Sequence, residues 1–216
     1  MYIQFPENFI WGTSTAAAQI ETASNHEWKG LLSKDGHVFN RTADHEKRRT
    51  EDVQYIATLG NSYRMGLDWA RLQTAPNAVF DPEVVAEYRS FLAKLKARGM
   101  YVMMVLHHFT NPTWFAKQGS WENPKCIPMF IDYVSQVVDN FGDMVDNWNT
   151  FNEPGVYLFN SRLMGVFPPL KKNPWHFWKA LKNMSRANWI SVQLIKDKYP
   201  RAPIGMSKNA VIFHPE

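Results

Sequence analysis

Four short strand-like segments of this chain each end on side chains that carry charge or hydrogen-bond. Phe9-Ile10-Trp11-Gly12 leads to Gln19 and Glu21, and the segment from Ser62 to Leu67 holds Arg64 and leads to Asp68-Trp69. Tyr101 to Leu106 runs into His107-His108, and Asn147 to Phe151 ends on Asn152-Glu153. Amides, imidazole, carboxylate, guanidinium and indole in one place suit a sugar, whose hydroxyls take paired hydrogen bonds and whose ring lies on a flat apolar face. A phosphate loop is missing, because Gly12-Thr13-Ser14-Thr15-Ala16 offers one glycine and neither G-x-G-x-x-G nor G-x-x-x-x-G-K. The expected chemistry is recognition or cleavage of a carbohydrate.

Two readings of Glu153 are open. Pro154 behind it ends sheet pairing and fixes where the carboxylate points; partly out of water, such a group keeps its proton and hands it to a departing glycosidic oxygen. In the other reading it is the ion-pair partner of a cation such as Arg64. Asn152 either holds a hydroxyl beside the anomeric carbon or caps the strand-to-loop turn. His108 reads as a hydroxyl ligand and His107 as core filler. Neighbours on a strand project to opposite faces, so the two are poorly placed to grip one metal ion with Glu153, and no H-E-x-x-H pattern exists. Neither metal nor cofactor is expected. Arg64, on a strand that points it into the sheet's interior, requires an anionic partner. Trp148, Trp175 and Trp178 are expected in core or helix packing, whereas Trp11, Trp69 and Trp114 lie nearer the polar cluster and are open between packing and a sugar platform.

The elements that hold these residues follow from periodicity. A helical pattern runs from Asp44 through Val53, Ile56 and Ala57 to Gly60. A second follows the cap Asp81-Pro82 with Val85, Tyr88, Leu92 and Leu95, and stops at Gly99. A third is carried by Ile127, Phe130, Val134 and Val138 to Gly142, and the longest spans about Pro174 to Lys198. Strands are read near 9–14, 61–67, 101–107, 146–152 and 203–208. Strand and helix alternate throughout, which means parallel crossovers in a barrel or an open doubly wound sheet, and the missing nucleotide loop favours the barrel. In barrels the C-terminal strand ends form the active face, where these polar residues stand.

Composition bounds the partners. The 216 residues are 45% hydrophobic and 14% aromatic, too apolar for a solvated disordered chain. The net charge of +4 is small, and acids and bases are read as interleaved except around Glu46-Lys47-Arg48-Arg49, a solvated helix face, so neither nucleic acid nor a membrane is expected as partner. No apolar run reaches the ~20 residues of a span and no leader pattern opens the sequence, so a soluble, cytoplasmic protein is expected. Cys126 is the one cysteine, which excludes an intrachain disulfide.

Phe5-Pro6-Glu7-Asn8-Phe9-Ile10-Trp11-Gly12 with Ala18-Gln19-Ile20-Glu21 resembles the amino-terminal signature of glycoside hydrolase family 1, the β-glucosidases and β-galactosidases. The resemblance continues through Glu51-Asp52-Val53, Tyr63-Arg64, Trp69-Ala70-Arg71-Leu72, Leu106-His107-His108-Phe109 and Phe141-Gly142-Asp143 to Thr150-Phe151-Asn152-Glu153-Pro154. It implies a (β/α)8 TIM barrel that cleaves β-glycosides with retention. Carried over, Glu153 is the general acid/base, Gln19, His108 and Asn152 bind glycone hydroxyls, and Arg64 sits near the nucleophile. Glu21, Trp69 and Phe109 support the site, Phe109 standing where the family usually has Trp. The family's nucleophile segment Thr-Glu-Asn-Gly is absent: Glu122-Asn123 comes closest but runs into Pro124.

What is present amounts to four strand-helix units and the start of a fifth strand, so residues 1–216 are read as one α/β half-barrel domain. Such a half exposes two strand edges and an apolar inner face, and a homodimer or a complementary half-barrel chain is expected to complete it. The expected ligand is a β-linked glucoside. A sugar-binding or assembly subunit without turnover, or an inactive fragment, is the alternative.

Overall fold

The strand patterns become five parallel strands, β1 (Gly12–Ser14), β2 (Ser62–Gly66), β3 (Tyr101–His107), β4 (Asn147–Asn152) and β5 (Ile204–Ser207). Helices α1 (Ala17–Ile20) and α2 (His45–Leu59) connect β1 to β2, and α3 (Trp69–Leu72) and α4 (Pro82–Lys96) connect β2 to β3. Next, α5 (Thr113–Lys117) and α6 (Cys126–Phe141) lead to β4, and α7 (Pro154–Leu158) and α8 (Pro174–Lys198) lead to β5. This computed structural model describes residues 4–22, 24–33, 35–40, 42–212 and 214. No helix among them is long and apolar enough to cross a membrane.

Local chemistry sets the ends of the crossover helices. The Asp81 carboxylate accepts from the backbone N–H groups of Glu83 (2.9 Å) and Val84 (3.3 Å), with Pro82 in the first turn. Asn173 and Pro174 repeat the device on α8, Asn173 Oδ1 accepting from Trp175 N at 2.9 Å. Gly60 closes α2 and lies against the carbonyl of Trp11 so closely that a Cβ would overlap it. That contact seats the end of α2 on the residue before β1. The first strand is shorter than expected because Phe9 and Trp11 pack with Phe5 as an aromatic group ahead of it.

The sheet order is β1-β2-β3-β4-β5, so each strand lies beside the next one in sequence. Right-handed crossovers that always advance one strand put every long helix on the same face, whereas a doubly wound sheet reverses direction midway. The sheet is therefore an arc of a barrel. Its outer face presents Tyr63, Met65, Val102, Met104 and Trp148 to Tyr88, Leu92 and Leu95 of α4 and Phe130, Val134 and Val138 of α6. The inner face differs from the apolar surface expected of it. Ser14, Arg64, Met103 and Asn147 form one row in register, and Gly66, Val105, Asn149 and Gly205 form the next. Polar and small residues dominate, so this face is not built as a packed apolar core.

A register shift between Asn149 and Asn152 alters the alternation along β4. Thr150 donates outward to Asn188 on α8, and Phe151 packs with His107, Trp121 and Phe130. Asn152 then returns to the inner face.

Glu21 is buried in the outer layer, with Tyr88 Oη donating to its carboxylate at 2.8 Å and Arg49 and Arg71 at 3.5 and 3.4 Å. Burial pushes its carboxyl up to about 7, more than the two guanidinium groups pull it down. The folded chain thus holds a proton here that the unfolded chain releases near 4.5. The contribution of Glu21 to stability is full below that value and is lost as pH rises through about 7.

Two outcomes are expected. Gly60→Ala lowers stability by about 1–3 kcal/mol through overlap with the Trp11 backbone, read as a lower urea midpoint; an unchanged midpoint contradicts the close contact. In Glu21→Gln, urea stability relative to wild type rises between about pH 4.5 and 7 and is level above, because the variant lacks the carboxyl that must stay protonated. A constant difference across that range contradicts a raised Glu21.

Candidate active site

The C-terminal ends of the strands gather around Arg64. Its guanidinium donates to Ser14 Oγ on β1 (3.1 Å), Asn152 Oδ1 on β4 (2.6 Å) and Ser207 Oγ on β5 (3.1 Å). One side chain on β2 thereby ties three other strands together across the inner face. Burial lowers the pKa of Arg64, and the negative charge of Glu153 acts in the opposite direction. Ser207 also accepts a hydrogen bond from Asn149 Nδ2. The strand-end rule that singles out Asn152 applies equally to Ser207, which sequence reasoning passed over.

Glu153 follows β4 directly. Its backbone sits in the left-handed region at φ 43, and its N–H donates to Ser207 O at 3.0 Å. A non-glycine residue held there marks a constraint the surroundings impose. Here the constraint is the passage from β4 to Pro154, the first residue of α7, within a single residue. Among the described residues, its carboxylate makes no hydrogen bond or ion pair, so it is not the salt-bridge partner of Arg64. The side chain is half-buried and borders an open cleft of about 540 Å³ with Phe159, Asn160, Met206 and Lys208. That cleft lies along β5, at the free edge of the sheet.

His107 and His108 diverge. His107 is buried among Trp121, Phe151 and Tyr157, and its Nε2 faces Asn111 Oδ1 at 3.1 Å. His108 lies toward Arg64; burial, aided by that positive charge, pushes its pKa down to about 4 and keeps the ring neutral near pH 7. A neutral imidazole can donate or accept a hydroxyl hydrogen bond. Phe109, at φ 68, packs edge-on to His108 and stacks on Tyr157 at 6.1 Å.

Behind this loop stands a hub that sequence reasoning missed. Asn111 donates to Tyr157 Oη (2.8 Å) and to Glu27, and accepts from Trp121 Nε1 (3.0 Å). Burial pushes Glu27 up to about 7. Buried Asn and Glu beside Trp and Tyr leave no periodic trace in a sequence, so only their meeting in space exposes the hub.

The remaining candidates make no side-chain hydrogen bond to the Arg64 group among the described residues. Gln19 is exposed on α1 and makes no side-chain hydrogen bond to the site among the described residues. Glu21 belongs to the outer layer. Trp69 is a core residue rather than a sugar platform: it is 3% exposed, stacked on Tyr133 at 4.8 Å and bonded to Gln73 Oε1 at 2.9 Å. α3 turns its indole outward under α6. Trp114 donates to the Gln73 carbonyl at 2.9 Å. Trp11 precedes β1, so it stands at the opposite end of the strand from the site. Trp148 is buried, but Trp175 and Trp178, expected in packing, are exposed on α8 because they lie opposite its buried side.

Comparison with known proteins agrees with this geometry. Residues 1–216 match glycosyl hydrolase family 1. Beta-glucosidase A of Thermotoga maritima is 28% identical over 98% of this chain and 50% of its own length. A 6-phospho-beta-galactosidase of Staphylococcus aureus is 30% identical over 93% of this chain and 44% of its own. The solved beta-glucosidase of Thermotoga maritima in complex with cyclophellitol superposes with a TM-score of 0.92 at 28% identity, covering 98% of this chain and 51% of that one. The chain spans about half the length of the relatives it matches, and its four strand-helix units with a fifth strand, wound in one direction, make up about half of such a barrel. With its arc of parallel strands and its polar strand ends, the chain belongs to glycosyl hydrolase family 1.

Proposed function

We propose that the chain supplies the acid/base half of a β-glucosidase site. Glu153 is the general acid/base, Asn152, His108 and Gln19 hold glycone hydroxyls, and Arg64 positions Asn152 and sets the field at the carboxylate. The nucleophile comes from a second copy of the chain or from a complementary half-barrel that closes the cleft along β5. The observation that carries this reading is the Glu153 carboxylate. It is the one acid at the strand ends without a partner among the described residues, it is aimed by a constrained backbone, and it borders a cleft also lined by Ser207, which is bonded to Arg64. A carboxyl so placed is free to give a proton to a leaving oxygen and to take one from water. Arg64, already engaged by Asn152 and two serines, adds positive charge without capturing that carboxylate.

Binding without turnover is the second reading, favoured by the site's holding one unpartnered carboxylate among the described residues where glycoside cleavage uses a pair. The two separate in one assay on the purified chain, with its mass measured by sedimentation at the same concentrations. Under the first reading wild type hydrolyses nitrophenyl and alkyl β-glucosides as a dimer or larger species. Glu153→Gln then lowers kcat/KM for the alkyl glucoside, whose leaving group needs the proton more, by about 10²- to 10⁴-fold. Hydrolysis that survives the substitution unchanged overturns the assignment of Glu153. A monomer that melts cooperatively and turns over nothing, yet binds glucose in a manner lost in Asn152→Ala, establishes the binding reading.

A further inference from the structure

The charge of this chain is less evenly distributed than its small net value suggests. Between Pro154 and Lys196 there is no Asp or Glu, while seven of the chain's 24 Lys and Arg fall there. The rest of the chain carries 17 basic residues against 20 acidic ones, so the whole positive excess sits in this segment. Most of the segment is α8.

α8 buries Ala180, Asn183, Met184 and Ala187 against the sheet and α6. At 3.6 residues per turn, Trp178, Lys182 and Trp189 fall on the opposite side, flanked by Trp175, Lys179 and Arg186. The three indoles are 65%, 61% and 66% exposed at positions 175, 178 and 189. Large apolar rings in one exposed stripe mark an interaction surface rather than ordinary surface scatter. The cations between them are available. Lys179 Nζ stands 5.6 Å over the Trp175 ring, and among the described residues Lys179, Lys182 and Arg186 have no acidic partner. Glu122 is taken by Arg162 and Lys171 and Asp139 by Lys198, and Asp197, the one acid of α8, lies eight residues beyond Trp189.

The stripe is not the seam left by an incomplete barrel. The side of α8 toward the free edge is marked by Leu181, Met184, Ser185 and Asn188, which share a cavity with Met206 of β5. A further strand-helix unit would pack there, whereas the tryptophans point radially outward. Two copies of the stripe would bring Lys179, Lys182 and Arg186 against themselves, which disfavours self-pairing.

We propose that the outer face of α8 is a docking surface for an anionic lipid bilayer. Indoles settle at the boundary between headgroups and acyl chains, with the ring in the apolar layer and the N–H still hydrogen-bonded. Lysine and arginine beside them reach the phosphate and carboxylate groups of anionic lipids. Trp175 and Trp189 are fourteen residues apart, about 21 Å along the helix, so α8 would lie flat on the surface. This replaces the expectation of no membrane partner, which rested on interleaved charges and the absence of a spanning segment. It does not depend on the glycosidase reading, since none of these residues touches Glu153 or Arg64.

The test is co-sedimentation of the purified chain with phosphatidylcholine vesicles, with and without roughly one third phosphatidylserine, at about 0.1 M salt. The expected result is binding to the anionic vesicles at least about tenfold stronger than to the neutral ones, and its loss near 1 M salt. Trp178→Ser/Trp189→Ser and Lys182→Glu/Arg186→Glu each weaken it by about tenfold or more, with circular dichroism and urea midpoint unchanged because these side chains are exposed. Absence of binding to both vesicles, equal binding to both, or binding that both variants retain overturns the proposal. So does loss of a self-association or of β-glucan binding in the variants when vesicles are not bound, since the stripe would then serve another partner.

Discussion

Each crossover in this chain advances by one strand and leaves its long helix on the same side of the sheet. The outer face therefore holds the apolar core, and the inner face is free to carry polar residues without uncovering that core. On the inner face Arg64 adds side-chain ties to the backbone pairing of the strands, joining β1, β2, β4 and β5 through Ser14, Asn152 and Ser207. A guanidinium suits the task because its planar array of donors serves several acceptors at once. The site's geometry and its positive field thus come from the same group.

The chain places its ionisable groups differently on the two sides of the sheet. In the outer layer Glu21 is surrounded by Arg49, Arg71 and Tyr88, and burial there favours the neutral acid. At the strand ends Glu153 has only the nearby charge of Arg64 and an open cleft. The first arrangement consumes a carboxylate in packing and the second leaves one available for chemistry. His107 and His108 divide in the same way, one locked among aromatic rings and one facing the guanidinium.

The half-barrel also sets where the sheet has edges. β1 and β5 are edge strands, and in a closed barrel neither would have a free side. The cleft bordered by Glu153 lies along β5, so the unsatisfied edge and the unpartnered carboxylate coincide. The match to about half of each relative's length is consistent with that coincidence. The outward stripe on α8 is a separate matter, since it would stay exposed around a closed barrel.

Periodicity and capping chemistry in the sequence by themselves determined the element order and the ends of the long helices. Asp81-Pro82, Asn173-Pro174 and the apolar stripes act within a few residues of one another, so their effects are written locally. The polar ends of the strands were legible for the same reason, as was the family resemblance they carry. Tertiary structure alone decided which polar residues meet. The register shift in β4 turns Asn152 toward Arg64, α3 carries Trp69 away into the core, and Glu21 finds its partners on α2 and α4 rather than in the site. It also decided that Trp175 and Trp178 face solvent, because the side of a helix that becomes buried depends on where the sheet lies. These contacts join residues distant in sequence, and no local pattern encodes the distance between two side chains that only the fold brings together.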